Sequence, residues 1–61
     1  MAIWAPLHLN VGSEETFVNI EAVMRIQQLP EGVTKIFFWD GREIVVREGA
    51  AEVLGIFRRG Q

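Results

Sequence analysis

Two stretches in the second half of the chain have the residue pattern of paired β-strands. Residues 33–39 and 42–47 are rich in β-branched and aromatic residues, and Asp40-Gly41 lies between them. Asp-Gly between two such runs is a strong signal for a β-hairpin, because a two-residue type I′ turn needs positive φ at both central positions. The sequence therefore predicts a hairpin with a type I′ turn at Asp40-Gly41, and assigns this dipeptide a structural role only.

The predicted turn also fixes which side chains of the hairpin share a face. A two-residue loop gives the cross-strand pairs Trp39–Arg42, Phe38–Glu43, Phe37–Ile44, Ile36–Val45 and Lys35–Val46. One face then carries Ile36, Phe38 and Val45, and the larger face carries Val33, Phe37, Trp39, Ile44 and Val46. Both faces are apolar, whereas an antiparallel sheet with one face in water usually has polar residues on that face.

The residues after the hairpin predict a helix from Ala50 to Phe57. Its apolar stripe has the spacing i, i+3, i+4 and i+7 and consists of Ala50, Val53, Leu54 and Phe57. Acidic residues near the start, Glu48 and Glu52, and basic residues at the end, Arg58-Arg59, suit the helix dipole. We expect the stripe to pack on the smaller hairpin face and close the core of its own subunit, with a swap of the helix onto a neighbouring subunit as the alternative.

The first half of the chain predicts further strands. Apolar residues alternate over residues 3–9, and Pro6 places this strand at a sheet edge or next to a bulge. A turn at 11–15 leads to a returning strand at 16–19. Residues 20–28 fit a short helix or a strand, and we favour a turn at 19–22 followed by a strand at 23–28. The predicted fold is α+β: a single domain, residues 1–61, with a small antiparallel β-sheet of about four to five strands and one C-terminal helix.

Positions spread from Phe17 to Val53 carry a family resemblance. They are Phe17-Val18-Asn19, Val23, Ile26, Pro30, Val33-Thr34, Ile36, Gly41, Val45-Val46, Glu48 and Glu52-Val53. Their order resembles the small flagellar-operon proteins of the FlbD type, which implies a compact β-rich module with a C-terminal helix. The stretch with Trp4 and Pro6 departs from that pattern, and Gly49 stands where the family tends to have Ser. The same segment is more faintly similar to β-rich DNA-binding domains of the LytTR type, although this chain is shorter and less basic.

The size of the chain bears on its assembly. A chain of 61 residues buries only about 60% of the surface that its unfolded form exposes. Disulfides are excluded because the chain has no Cys, so association of subunits is the remaining common source of stability. We therefore predict a homo-oligomer whose subunit or partner interface is the larger hairpin face: Val33, Phe37, Trp39, Ile44 and Val46.

Few side chains are candidates for catalysis or metal binding. His8 is the only imidazole, and it could act as a base only with an orienting carboxylate, for which Glu14 or Glu15 could reach across the first hairpin. A single His on the polar face of an edge strand is more often simply solvated, and the chain has no Cys and one Ser, Ser13. We predict that the protein is not an enzyme and has no metal or cofactor.

Charge and hydropathy bear on whether the partner is a nucleic acid or a membrane. The formal net charge of −2 gives no overall attraction to nucleic acid. Lys35, Trp39 and Arg42 are the alternative nucleic-acid contacts, although a cation–π pair between Trp39 and Arg42 explains two of them structurally. No apolar run is long enough to span a membrane, and the first residues lack the basic start of a signal peptide. The sequence thus predicts a cytoplasmic, homo-oligomeric protein-interaction module, with a nucleic-acid-binding regulatory module as the alternative.

Overall fold

The computed structural model describes residues 3–60. Its elements, in chain order, are β1 (Trp4–His8), β2 (Glu15–Asn19), β3 (Val23–Gln28), β4 (Thr34–Phe38), β5 (Glu43–Val46) and α1 (Ala50–Arg59). Short 3-10 turns at Ile20–Ala22 and Pro30–Gly32 precede β3 and β4. The predicted α+β fold is confirmed, and so is the strand at 23–28. None of the helical segments in the described part of the chain is long and apolar enough to cross a membrane.

The five strands form two small antiparallel sheets. β1 pairs with β2, and β4 lies between β3 and β5. The sheets meet just after β1, where Leu9 forms an isolated bridge with Val46. The Arg47 N–H donates to the His8 carbonyl at 2.8 Å, and the Asn10 N–H donates to the Val45 carbonyl at 3.0 Å. The end of β1 therefore lies beside β5 and holds the two sheets together at one corner.

Buried and exposed side chains alternate along β1 of the β1–β2 hairpin, as the sequence predicts. Ala5 and Leu7 are fully buried, whereas Pro6 is exposed and lies opposite Phe17. The Leu9 N–H donates to the Glu14 carbonyl at 2.9 Å. Hydrogen-bonded and non-hydrogen-bonded pairs alternate along an antiparallel ladder. The Pro6–Phe17 pair lies three positions from the hydrogen-bonded Leu9–Glu14 pair, so it is not hydrogen-bonded. The missing N–H of Pro6 thus faces away from β2, as expected for a proline in an edge strand.

A small apolar core lies between the two sheets and the helix. Its buried residues are Ala5, Leu7, Val18, Ile36, Val46, Val53 and Phe57. The one buried polar residue among those described, Thr34, donates its hydroxyl hydrogen to the Glu48 carbonyl at 2.8 Å. Every element except β3 contributes a fully or nearly fully buried side chain, and β3 adds the partly buried Val23 and Ile26. The core is therefore made by the whole fold and by no single hairpin.

The turn between β4 and β5 differs from the prediction. The Gly41 N–H donates to the Phe38 carbonyl at 3.0 Å, and the Phe38 N–H donates to the Arg42 carbonyl at 2.9 Å. The loop therefore has three residues, 39–41, and only Gly41 has positive φ, at +93°. This pattern is typical of a type I turn followed by a glycine bulge. The predicted two-residue type I′ turn is wrong.

The extra loop residue shifts the register by one position. Ile36 lies opposite Ile44, and Phe37 lies opposite Glu43. A one-residue shift moves every side chain of a strand to the other face. The core face consists of Thr34, Ile36, Phe38, Ile44 and Val46, and the outer face consists of Lys35, Phe37, Glu43 and Val45. The predicted cross-strand pairs and the predicted composition of the two faces are therefore wrong.

The helix buries a narrower stripe than predicted. Val53 and Phe57 are buried, and Ile56 packs partly against the core, but Leu54 is 43% exposed. The helix contacts β1 and β3. Its first N–H group, on Ala50, is capped by the side-chain oxygen of Gln28 at 2.8 Å. A residue of β3 thus supplies the cap that Gly49, at the N-cap position, lacks.

Two substitutions on the helix test this packing. We expect Phe57→Ala to reduce the free energy of unfolding by about 3–5 kcal/mol, because it opens a cavity in a small core. Leu54→Ala should cost under about 1 kcal/mol, because much of the Leu54 side chain is already in water. Urea unfolding followed by circular dichroism measures both. Equal losses for the two variants would contradict the observed orientation of the helix.

Candidate interaction surface

The outward face of the β1–β2 hairpin carries an apolar surface that we call the outer patch, defined as Trp4, Pro6 and Phe17. Pro6 and Phe17 are cross-strand neighbours, and Trp4 lies diagonally across from Phe17. Diagonal neighbours on one face of a sheet are within reach of aromatic side chains. Trp4 is 59% exposed and Phe17 is 60% exposed. Two large aromatic side chains therefore share one face of the hairpin and remain mostly in water.

The second feature is the edge of β2 that faces away from β1. Among residues 3–60, no strand pairs with this edge. Since Leu9 and Glu14 are a hydrogen-bonded pair, the alternation along the ladder directs the backbone groups of Thr16 and Val18 to β1. The backbone N–H and C=O groups of Glu15, Phe17 and Asn19 point to the open edge. The edge therefore presents backbone donors and acceptors in the arrangement that an additional antiparallel strand could bind.

This open edge borders a groove that we call the side groove. The groove lies between β2 and the turn end of the β4–β5 hairpin and has a volume of about 280 Å³. It is lined by Thr16, Phe17, Val18, Asn19, Phe38, Asp40, Arg42 and Ile44. Phe38 and Ile44 belong to the core face of their sheet but are only partly buried. The groove is thus a place where the core is incompletely covered.

The five residues predicted as one interface are not brought together. Val46 is fully buried in the core, and Ile44 lies on the same inner face, next to the side groove. Phe37 is on the opposite, outer face, where the Arg25 guanidinium lies 3.9 Å from its ring centroid. Trp39 is in the turn and is 70% exposed, and Val33 precedes β4 and is half-buried. The register shift separates the predicted set, so it does not form a single surface.

The predicted nucleic-acid contacts are also separated. Lys35 is on the outer face, where its Nζ lies 3.3 Å from a carboxylate oxygen of Glu43. Arg42 lines the side groove, and its Nε lies 3.5 Å from a carboxylate oxygen of Asp40. Trp39 lies inside the loop, so it is not the cross-strand partner of Arg42, and the predicted cation–π pair is wrong. The described cation–π contacts join Arg25 and Lys35 to the Phe37 ring.

A His–Glu pair lies at the opposite corner of β1. The Nδ1 atom of His8 is 2.7 Å from Oε2 of Glu48, and the His8 backbone N–H donates to Oε1 of Glu48 at 3.0 Å. The side chain of Glu48 is 10% exposed, and that of His8 is 44% exposed. The sequence suggested Glu14 or Glu15 as the carboxylate beside His8. In the structure that carboxylate is Glu48, which is 40 positions away in the chain.

The environment of Glu48 affects its protonation. Burial raises the pKa of this carboxyl group, but hydrogen bonds from the His8 side chain and from the His8 and Glu48 backbone, together with electrostatic attraction to His8, lower it by more. The net result is a pKa below the ordinary value of 4.5. Because an ionised carboxylate only accepts hydrogen bonds, Nδ1 of His8 carries the proton and Nε2 is left for other contacts. The pair is an oriented imidazole at the corner where the sheets meet.

This corner includes a shallow depression of about 230 Å³ lined by His8, Arg47, Glu48 and Glu52. Among the described residues, none that lines it is a serine, threonine or cysteine, so these residues offer His8 no nucleophile to activate. Within residues 3–60, no group of three or more His, Asp or Glu side chains is arranged to hold a metal ion. What the pair does in the structure is join β1 to the segment between β5 and α1.

Sequence analysis did not identify the outer patch or the side groove. One signal for the patch was available: Trp4 and Phe17 occupy the water-facing positions of strands whose buried positions are Ala5, Leu7 and Val18. An aromatic residue at such a position leaves apolar area exposed, and large exposed apolar patches mark interaction sites. The groove had no such signal, because it depends on how the two sheets are placed.

Comparison of the chain with protein-family models, with curated proteins and with solved structures found no match. The resemblance to FlbD-type proteins, and the fainter one to LytTR-type domains, therefore stay predictions.

The His8–Glu48 pair leads to a test of acid stability. The folded state lowers the pKa of Glu48, so the stabilisation from its ionised form is present above pH 4.5 and is lost as the pH falls through the folded value. We expect Glu48→Gln to cost about 1 kcal/mol at neutral pH. The free energy of unfolding should also fall less steeply with acidification in this variant than in the unchanged protein.

The matched control is Glu52→Gln, which removes a carboxylate from the exposed surface of α1, beside the same depression. Its pH dependence of unfolding should follow that of the unchanged protein. Chemical unfolding at a series of pH values measures all three proteins. An unchanged pH slope in Glu48→Gln would contradict the assignment.

Proposed function

We propose that this chain is a small, non-enzymatic, homo-oligomeric protein-interaction module that works in the cytoplasm. The observation that carries the proposal is the exposure of Trp4, Phe17 and Trp39, each with more than half of its surface in water. Aromatic residues are enriched at the centres of protein interfaces, because they remove a large apolar area from water at a low entropic cost. An interface that covers them is the simplest explanation for their place on the surface.

The small core adds support. The buried apolar set contains one aromatic residue, Phe57, and otherwise only aliphatic side chains. Such a core stabilises a chain of 61 residues weakly, and the sequence has no Cys for a disulfide. Association along β2 would cover the side groove and bring the outer patches of two copies together. Self-association would therefore supply stability that the single chain lacks.

The His8–Glu48 pair supports a structural role better than a catalytic one. Both oxygens of the Glu48 carboxylate are bonded to His8, and the Glu48 carbonyl accepts from Thr34. Glu48 therefore connects neighbouring elements of the fold through the hydrogen bonds that its oxygens accept. The partial exposure of His8 leaves an imidazole on the surface, but without a neighbouring nucleophile.

Sedimentation equilibrium tests the proposal directly. We expect a folded protein whose apparent mass at micromolar concentration is at least about twice that of the single chain, because obligate homo-oligomers often lack a stable folded monomer. Dilution should lower the apparent mass and the thermal unfolding midpoint together. A well-folded monomer at every concentration up to high micromolar would show that the proposed self-association is wrong.

The alternative is a nucleic-acid-binding regulatory module. The observation that favours it is the outer face of the three-stranded sheet, where Arg25 and Lys35 flank the ring of Phe37. Aromatic rings beside cations can stack bases and contact phosphates. Against it, Lys35 is paired with Glu43, Arg42 is paired with Asp40, and the net charge is −2.

A titration of labelled single-stranded DNA and RNA at low and high salt separates the two functions. We expect no saturable binding by the unchanged protein at physiological salt, because the net charge is negative and two of the three predicted contacts are paired with carboxylates. Saturable binding that weakens steeply with salt and is lost in Arg25→Ala would favour the alternative. Met24→Ala, next to Arg25 on β3, is the matched control for that loss.

A further inference from the structure

We infer that β2 pairs with β2 of a second copy of this chain, in an antiparallel arrangement centred on Phe17. The inference rests on the proposed self-association and adds the surface and the register. The result would be a continuous four-stranded sheet in which the two β2 strands are the central pair. Three features of the described residues support it: the open backbone groups, the charges along the edge, and the incompletely covered groove.

The backbone of the β2 edge suits a second strand. The outward groups of Glu15, Phe17 and Asn19 are spaced for an antiparallel ladder, as the alternation along β2 requires. Natural edge strands usually carry a proline, a lysine or a bulge that discourages pairing. β2 has the sequence Glu-Thr-Phe-Val-Asn and a regular register with β1, so it contains none of these. In the same hairpin, the outer edge of β1 is blocked by Pro6 and by its contacts with β5.

The charges along the edge suit a second copy in one register. When Phe17 faces Phe17 of the second copy, Glu15 faces Asn19 of that copy, and the reverse holds by symmetry. No like charges are then opposite each other, which would destabilise a strand pair. A shift that placed Glu15 opposite Glu15 would bring two carboxylates together. The edge is therefore self-complementary in the arrangement centred on Phe17.

The side groove adds an apolar contact to the same arrangement. Phe38 and Ile44 line the groove beside β2 and are only partly buried. A second copy that extends the sheet at β2 brings its own groove to the same place, so that the two grooves cover each other. On the outward face, the two copies of the outer patch become neighbours and form one aromatic band. Backbone pairing and apolar burial therefore occur at a single surface.

Cysteine cross-linking tests the register, and the chain suits it because it has no Cys of its own. In the inferred pair, the two Cα atoms at position 17 are about 5.5 Å apart, as in other hydrogen-bonded antiparallel pairs, and a disulfide can span that distance. Phe17→Cys should therefore form a covalent dimer under mild oxidation. The matched control is Trp4→Cys, which is on the same face with nearly the same exposure. Its two copies would be about 20 Å apart, because they are separated by three strand spacings across the sheet and by four residues along the strands.

A mixture of Glu15→Cys and Asn19→Cys proteins tests the same register while keeping Phe17 in place. We expect the mixed pair to cross-link and each variant alone to stay monomeric in denaturing gels. We also expect about 10-fold more dimer for Phe17→Cys than for Trp4→Cys, because disulfides need Cα separations below about 7 Å. Circular dichroism confirms that each variant is folded before oxidation.

The outcomes separate this inference from the proposed function. If the unchanged protein is oligomeric by sedimentation but Phe17→Cys cross-links no more than Trp4→Cys and the mixed pair does not cross-link, the β2 surface is wrong and self-association stands. If the unchanged protein is a folded monomer, both are wrong. Cross-linking in the predicted pairs, together with an oligomer by sedimentation, supports both.

Discussion

The segment between β5 and α1 and the first residue of the helix together form hydrogen bonds to three different strands, and the placement of the helix depends on this junction. Glu48 is bonded to His8 of β1, the hydroxyl of Thr34 in β4 donates to the Glu48 carbonyl, and Gln28 of β3 caps the first N–H of the helix. These bonds hold α1 against β1 and β3. A short helix covers only one side of two packed sheets, so the side that includes the open edge of β2 stays uncovered.

This constraint connects the stability of the protein to its proposed role. The covered side contains Val53 and Phe57, which complete the core, whereas the uncovered side contains the side groove and borders the outer patch. A second polypeptide strand could cover that side. The same junction that completes the core within one chain therefore leaves uncovered the surface that we propose for association.

The sequence predicted which segments form strands and helix, but not the register of the β4–β5 hairpin. Asp-Gly suits both a two-residue loop and a three-residue loop that ends in glycine, so the turn alone did not decide. Side-chain chemistry could have decided: the two-residue register places Glu43 beside Phe38 on the core face, whereas the observed one places it on the outer face, near Lys35. The His8–Glu48 contact had no comparable signal, because neither residue's local pattern points to a partner so distant in the chain.

We propose that the outward backbone groups of β2 form hydrogen bonds with a second copy of the chain. Amide hydrogen exchange at Phe17, measured by NMR at a series of protein concentrations, tests it most directly. We expect fast exchange at the lowest concentration and slower exchange as oligomer forms. The neighbouring amides of Thr16 and Val18, which bond to β1, should be protected at every concentration at which the chain is folded. A Phe17 amide that still exchanges fast in the fully assembled protein would show that β2 does not pair with a second copy.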